Sequence, residues 1–343
     1  MLKPRFEVSA LEDKDQFRAA LGSWYSNVGK DFPWRRTHEP YRVLVSEMML
    51  QQTQVATVLG KGYYTRFLEK FPDLQSLSKA DDESLLKAWE GLGYYRRARM
   101  LRDTARAVVE NHGGTFPGDE VTLLTLPGVG PYTAAALMAF CFGKVSALVD
   151  GNVSRILSRL MDDSSPVDSG TAKRIHREWA VELCDPAHPG RHHHAMMELG
   201  QNVCRPGCPA CESCPVARFC KCSDPSSLPI KKPRIKITVL EEYAVFVRDS
   251  TGRILLNLES GKRRNGLWKL PLRGADQCSG LRKIYESSYP ITRYRVSLKV
   301  FSAALENTLP LDAGDEWVPE ERLEVLPIAA PFRKALQHLT ANF

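Results

Sequence analysis

The side chains with chemistry to offer are two acids and a dense group of thiols. Glu47 sits among Val45, Met48 and Met49. Apolar surroundings push a carboxyl pKa up toward neutrality, which suits a general acid; a helix-face glutamate reaching back to water is the plainer reading. Asp150 stands in Val149-Asp150-Gly151-Asn152-Val153, ahead of an apolar helix pattern, where Asp150 or Asn152 can equally be an N-cap. Six of the nine cysteines lie between Cys204 and Cys222. In a reducing compartment such a density points to a metal, either zinc or an iron–sulfur cluster, and not to disulfides. Cys141, Cys184 and Cys278 are isolated and read as small buried residues. His192-His193-His194 is not read as a metal site, because three consecutive side chains face different sides of a helix.

A backbone site accompanies these groups. Leu126-Pro127-Gly128-Val129-Gly130 reads as a tight turn between an apolar helix end at 121–124 and a new helix beginning near Pro131. Gly128 and Gly130 allow positive φ and close approach of another molecule, and Val129 lies between them. With the free N–H groups of the next helix, this makes a phosphate site; the alternative is an ordinary turn between core helices.

The elements that must position these groups are helices. Periodicity predicts helices over 14–29, 41–59, 61–70, 82–89, 96–111, 153–161, 171–184 and 191–203. Trp34 and Arg35 fall in an aromatic, basic loop, and Gln51-Gln52-Thr53-Gln54 is a polar block after an apolar turn. Gly91-Leu92-Gly93-Tyr94-Tyr95 precedes Arg96, Arg97, Arg99, Arg102 and Arg106, a combination that suits a nucleic-acid surface. Residues 225–236 form a Pro- and Lys-rich linker. Beyond it strands are predicted at 242–248, 254–258, 268–270 and 293–302, with helices near 278–288 and at 331–340.

The chain has 343 residues, 43% apolar and 25% charged, with a formal charge of +7. Those values describe a globular protein of two or three domains with a mild bias to polyanionic partners. No apolar run is long enough to span a bilayer, and no secretory signal is visible at the N-terminus, so no membrane partner and a cytoplasmic location are expected, with nucleoid association if the source is bacterial.

The motifs together resemble the MutY adenine DNA glycosylases of the endonuclease III, helix-hairpin-helix superfamily. The resemblance is carried by Ser46-Glu47-Met48-Met49-Leu50-Gln51-Gln52-Thr53-Gln54-Val55, by Trp89-Glu90-Gly91-Leu92-Gly93-Tyr94-Tyr95, by the Gly128–Gly130 hairpin, by Val149–Val153 and by Ala195-Met196-Met197-Glu198-Leu199-Gly200, in matching order over residues 15–222. It implies a mostly α N-terminal region followed by a C-terminal α+β domain of MutT/Nudix type. The implied domains are an iron–sulfur helical domain (1–30 and 139–224), a six-helix domain (31–138), the linker (225–236) and a MutT-like lesion-recognition domain (237–343). The spacing of Cys204, Cys211, Cys214 and Cys220, C-x6-C-x2-C-x5-C, resembles the family's [4Fe–4S] loop; Cys208 and Cys222 are extra and can be alternative ligands.

The implied reaction is hydrolysis of the bond between adenine and deoxyribose in duplex DNA, opposite 8-oxoguanine or guanine, by a monomer. Two carboxylates in unlike environments meet its needs, an acid for the leaving base and a negative group for the oxocarbenium-like sugar. By resemblance Glu47 protonates adenine and later activates water, Asp150 stabilises the sugar cation, and Tyr132 and Asn152 hold Asp150. Gln52 and Tyr94 fill the vacated stack, Thr53 and Leu92 flank the opposite base, and Trp34, Arg35, Leu50 and Glu198 line the adenine pocket. Bifunctional relatives carry a lysine where Tyr132 stands, so no efficient strand nicking is expected.

Departures from the pattern touch specificity. His194 replaces an amide or acid of the relatives. The C-terminal third has no Nudix glutamate cluster, so nucleotide hydrolysis is not expected. It also lacks the family's Phe-Ser-His loop, in whose place stand Ile291-Thr292-Arg293. Thr292 can supply a hydroxyl and Arg293 can bond guanine O6 or N7. Two further readings stay open: a glycosylase of altered base or opposite-base specificity, and a non-catalytic damage-binding protein.

Overall fold

A computed structural model describes residues 11, 13–231, 237–261, 264–291, 293–303 and 311–342. In chain order its helices are α1 (Lys14–Val28), α2 (Pro40–Leu50), α3 (Val55–Gly60), α4 (Tyr63–Lys70), α5 (Leu74–Ser78), α6 (Asp82–Ala88), α7 (Arg96–His112), α8 (Glu120–Leu123), α9 (Pro131–Phe140), α10 (Gly151–Leu160), α11 (Gly170–Leu183) and α12 (Pro189–Asn202), with α13 (Ala330–Asn342) near the end. The strands are β1 (Thr238–Phe246), β2 (Ile254–Leu258), β3 (Trp268–Lys269), β4 (Leu272–Arg273), β5 (Arg282–Ile291), β6 (Tyr294–Ser302) and β7 (Asp315–Val318). The expected sequence of a helical region and then an α+β region is what the chain forms. Among the described residues no helix is long and apolar enough to cross a membrane.

Contacts group the chain into two compact units, Met1–Gln52 with Asp103–Pro233, and Thr53–Arg102 with Arg234–Phe343. This grouping divides the 31–138 segment that the resemblance treats as one domain.

In the first unit, Phe17 and Leu21 of α1 meet Val153, Ile156, Leu157 and Leu160 of α10, Leu183 of α11 and Leu199 of α12. Burying each such side chain contributes about 1.5–3 kcal/mol. From Thr133 to Phe140, α9 is buried at every position, and its run of alanines lets α2 and α12 pack closely against it.

The single helix expected over 41–59 is two. α2 stops at Leu50 and α3 starts at Val55, with Gln52 between them at φ +59°. A side-chain-bearing residue in the left-handed region ends a right-handed helix, and the polar block 51–54 is that break.

In the second unit, β4-β1-β6-β5 form one sheet, with β1 parallel to β6, and β3-β2-β7 form another. Leu86 of α6 packs in the same core as Ala244, Leu256, Leu298, Val300 and Phe332. The helix expected near 278–288 is instead β5, paired antiparallel with β6 from Ser302 to Tyr294. Its exposure alternates from Tyr285 to Ile291, and Tyr285 and Tyr289 pack on the core, so cross-strand burial overrides any helical tendency. The expected strands at 254–258 and 293–302 and the helix at 331–340 agree with β2, β6 and α13.

Candidate active site

Glu47 faces inward from α2, only 6% exposed. Burial raises its carboxyl to about 7; the Tyr132 hydroxyl bonded to it lowers it, the nearby Asp150 carboxylate raises it, and Arg35 lowers it. Tyr132, in the first turn of α9, is itself held well above its usual range, by burial first and then by Glu47 and Asp150. The three side chains that the sequence placed on separate segments therefore meet.

Asp150 is the N-cap of α10: the Val153 N–H donates to Oδ1 at 2.7 Å. Asn152 Nδ2 donates to Oδ2 at 3.0 Å. Asn152 is fixed in turn by Arg155, whose Nη2 donates to Asn152 Oδ1 at 2.9 Å and to the Gly200 carbonyl at 2.8 Å, while Nε donates to the Cys204 carbonyl at 2.8 Å. Gly200 permits this approach, since a Cβ there would lie 2.6 Å from Asn152 Cβ. Beside Asp150 opens a cavity of about 770 Å³ whose lining includes Tyr132, Arg155, Asp168, Lys173, Arg177 and Lys231, so basic side chains outnumber the two acids there.

Trp34 and Arg35 line a second cavity of about 620 Å³ with Tyr25, Phe140 and His194. The Arg35 guanidinium lies 4.6 Å from the Phe32 ring and bonds the buried Glu198 carboxylate at 3.0 Å. Glu198 also receives Asn202 Nδ2 at 2.8 Å and Lys30 Nζ at 3.2 Å. Burial raises its pKa, but these donors bring the net below the usual value. Glu198, which the resemblance gave to the pocket lining, thus also supports Arg35. Leu50 ends α2, half-buried, and Gln52 is exposed. The three histidines find three different neighbours. His192 lies 6.3 Å from Phe17, His193 Nε2 is 3.6 Å from Cys184 Sγ, and His194 stacks on Phe140 at 4.2 Å.

The hairpin turns at Gly128, φ +78°, and Val129 N–H bonds the Leu126 carbonyl at 3.1 Å. Gly130 caps α9 in extended conformation, and the space where its Cβ would project is open.

Cys204, Cys211, Cys214 and Cys220 line a cavity of about 310 Å³ with Arg159 and Cys222. Burial pushes the Cys214 thiol up to about 11. Arg159 Nη1 lies 3.3 Å from Cys204 Sγ, and its buried Nη2 has no partner among the described residues. Also among them, no three Cys, His, Asp or Glu side chains close on a single ion. Thiol donors, a roomy cavity and an unsatisfied guanidinium N–H fit a polynuclear anionic cluster.

In the second unit Thr53 is half-buried, Leu92 is buried, and Tyr94 is exposed at φ +49°. Gly91, at φ +92°, is required by packing: a Cβ would meet the Tyr63 hydroxyl at 2.2 Å. The arginines expected on a nucleic-acid surface are largely committed to the protein. Arg97 donates to the Leu92 and Gly93 carbonyls at 3.1 Å, Arg102 pairs with Asp82 at 2.6 Å, and Arg99 reaches Asp82 and the Asn265 carbonyl. Arg293 is exposed between β5 and β6 and donates to the Tyr294 hydroxyl at 2.8 Å; Thr292 lies outside the described residues.

Sequence reasoning missed Arg155 and Arg159. Their signal was present: two arginines four apart on the apolar helix that follows Asp150, a position where an arginine stays only if its donors are used.

Residues 45–180 match the family described as HhH-GPD superfamily base excision DNA repair protein, the class that the hairpin, the helical core and the paired acids define. A solved thermostable thymine-DNA glycosylase covers 61% of this chain and 96% of its own at 29% identity, with a TM-score of 0.56. The adenine DNA glycosylase of Buchnera aphidicola subsp. Baizongia pistaciae (strain Bp) is 32% identical over 258 residues, 74% of this chain and 71% of that protein. The chain belongs to the adenine DNA glycosylase family. The adenine DNA glycosylase of Rattus norvegicus is 43% identical over 229 residues, 64% of this chain; the match spans 44% of the rat protein's length.

Proposed function

We propose that the chain hydrolyses the N-glycosidic bond of adenine opposite 8-oxoguanine or guanine in duplex DNA, as a monomer and without efficient strand cleavage. The observation that carries this reading is Glu47, a buried carboxyl with a pKa of about 7 beside Asp150. At neutral pH it keeps a proton to give to the leaving adenine, and its conjugate base then takes one from water. Asp150, held by the Val153 N–H and Asn152, places negative charge where the sugar becomes cationic. Tyr132 is not an amine, so no Schiff base can form at that position. Flipping the base costs a few kcal/mol of lost stacking, and Gln52 and Tyr94 are the residues assigned to fill the gap. Trp34, Arg35 and Leu50 are assigned to the base pocket, Thr53 and Leu92 to the opposite base, and Gly128, Val129 and Gly130 to phosphate. Cys204, Cys211, Cys214 and Cys220 would hold a [4Fe–4S] cluster, whose contribution is to order its loop.

A second reading, adenine removal with a changed opposite-base preference, is favoured by the missing Phe-Ser-His loop and by Arg293, whose guanidinium is already bonded to Tyr294. Single-turnover adenine release from duplexes with 8-oxoguanine, guanine or cytosine opposite adenine, and a thymine–guanine control, tests both. Fastest release opposite 8-oxoguanine is expected. Equal release opposite guanine would select the second reading, and no adenine release from any duplex would overturn the assignment.

A further inference from the structure

The thiol cavity has one cysteine more than a cluster needs. Cys222 lines it together with Cys204, Cys211, Cys214 and Cys220, whereas Cys208 is exposed and outside its lining. Cys220 and Cys222 hang from one anchor. The Arg159 carbonyl accepts from Cys220 Sγ at 3.4 Å and from the Cys222 N–H at 3.1 Å, and the Lys221 N–H donates to the Leu160 carbonyl at 3.0 Å. This ties 220–222 along the end of α10. Both thiols border the same cavity. They differ in surroundings. Cys220 is the exposed member at the cavity's edge, and Cys222 is half-buried. The Cys222 thiol also faces the Asp162 carboxylate. Asp162 sits just past α10 at φ +53°, a conformation uncommon for a residue with a side chain.

We propose that Cys222 is a reserve ligand, turned toward Asp162 while Cys220 is in place and taking over its iron when Cys220 is lost. The inference rests on the cluster reading above. The exchange needs no oxidant: the Cys222 S–H proton leaves to water as a sulfur–iron bond forms at the vacated corner, and thiolate is the ligating form.

The test compares purified wild-type protein with Cys222→Ser, Cys220→Ser, Cys214→Ser and the Cys220→Ser/Cys222→Ser double variant, reading iron and sulfide per chain. Iodoacetamide alkylation of each cysteine is read by peptide mass spectrometry. Wild type and Cys222→Ser should carry a full cluster. Cys220→Ser should keep about half or more, while Cys214→Ser and the double variant keep little. In wild-type protein Cys222 should alkylate while Cys220 is protected, and in Cys220→Ser Cys222 should become protected. A Cys220→Ser protein as empty as Cys214→Ser would overturn the proposal, as would a double variant as full as Cys220→Ser. If Cys220→Ser does not fold, the wild-type labelling decides: reactive Cys222 beside protected Cys220 supports the proposal, and protection of Cys222 contradicts it. Wild-type protein without iron and sulfide would overturn the cluster reading itself.

Discussion

Asn152 donates its amide to Asp150 Oδ2 at 3.0 Å, and the two residues are locked by a helix cap on one side and Arg155 on the other. An unpaired carboxylate oxygen can rotate away from a developing cation; a carboxylate held at both oxygens cannot. Asn152→Ala should therefore slow single-turnover adenine release by about 10–100-fold, the equivalent of roughly 1–3 kcal/mol for a lost bond to a charged group. Duplex affinity measured by fluorescence anisotropy should stay within about threefold, since no phosphate contact is assigned to Asn152. Unchanged rate would show that Asp150 is positioned without it.

The Glu47 carboxyl sets a pH dependence of two kinds. Only its protonated form can act as the acid, so the single-turnover rate should fall as pH rises through about 7. Stability moves in the same direction. Burial lifts the folded-state pKa from 4.5 to about 7. Between those values the folded chain retains a proton at Glu47 that the unfolded chain has released, so this residue's contribution to stability declines as pH rises and levels off above about 7. The full loss is roughly 3 kcal/mol at about 1.4 kcal/mol per unit. Buried neutral His192, His193 and His194 tilt both proteins' stability the other way, so the Glu47 slope should appear in the difference between the urea melts of wild type and Glu47→Gln from pH 5 to 8.

Tyr132 stands in the first turn of α9, with its hydroxyl on Glu47. Tyr132→Lys places an amine at the same point, so borohydride should trap a protein–DNA adduct with the variant and little with wild type. A wild-type adduct as abundant as the variant's would contradict hydrolysis as the chain's main path.

Gly200 and Asn152 are in van der Waals contact across α12 and α10. Gly200→Ala would press a methyl group to 2.6 Å from Asn152 Cβ, and overpacking of this kind costs about 1–3 kcal/mol. Because the displaced residue is the one holding Asp150, the variant should lose activity as well as lower its melting temperature; a lower melting temperature with full activity would uncouple the two.

The site was legible in the sequence wherever chemistry is written into short motifs. Glu47 among methionines, Asp150 before a helix and the two hairpin glycines all lie in the first unit, although the resemblance set Asp150 in a different domain from the others. Contacts made through long side chains were not legible. Glu198 looks from the sequence like one more pocket residue, yet three donors converge on it from segments 30–35 and 202. Arg97, Arg99 and Arg102 look like a basic surface, but carbonyls and Asp82 consume them. β5 was hidden because its half-buried side is not uniformly apolar: Ser287 stands between Tyr285 and Tyr289, so the period of two is weak in the sequence. The helix break at Gln52 was visible only as an odd polar block, since nothing in a glutamine announces positive φ.

Glu47 is the residue assigned to supply the proton that releases adenine. The most direct measurement is the single-turnover rate of Glu47→Gln on an adenine·8-oxoguanine duplex, paired with the affinity of the same protein for that duplex. Glutamine keeps the size of the side chain and loses the acid. The rate should fall by about 10³-fold or more, within the range that a positioned acid contributes, while affinity holds within a few-fold. A variant that still releases adenine at close to the wild-type rate would place the acid elsewhere and remove Glu47 from the reaction.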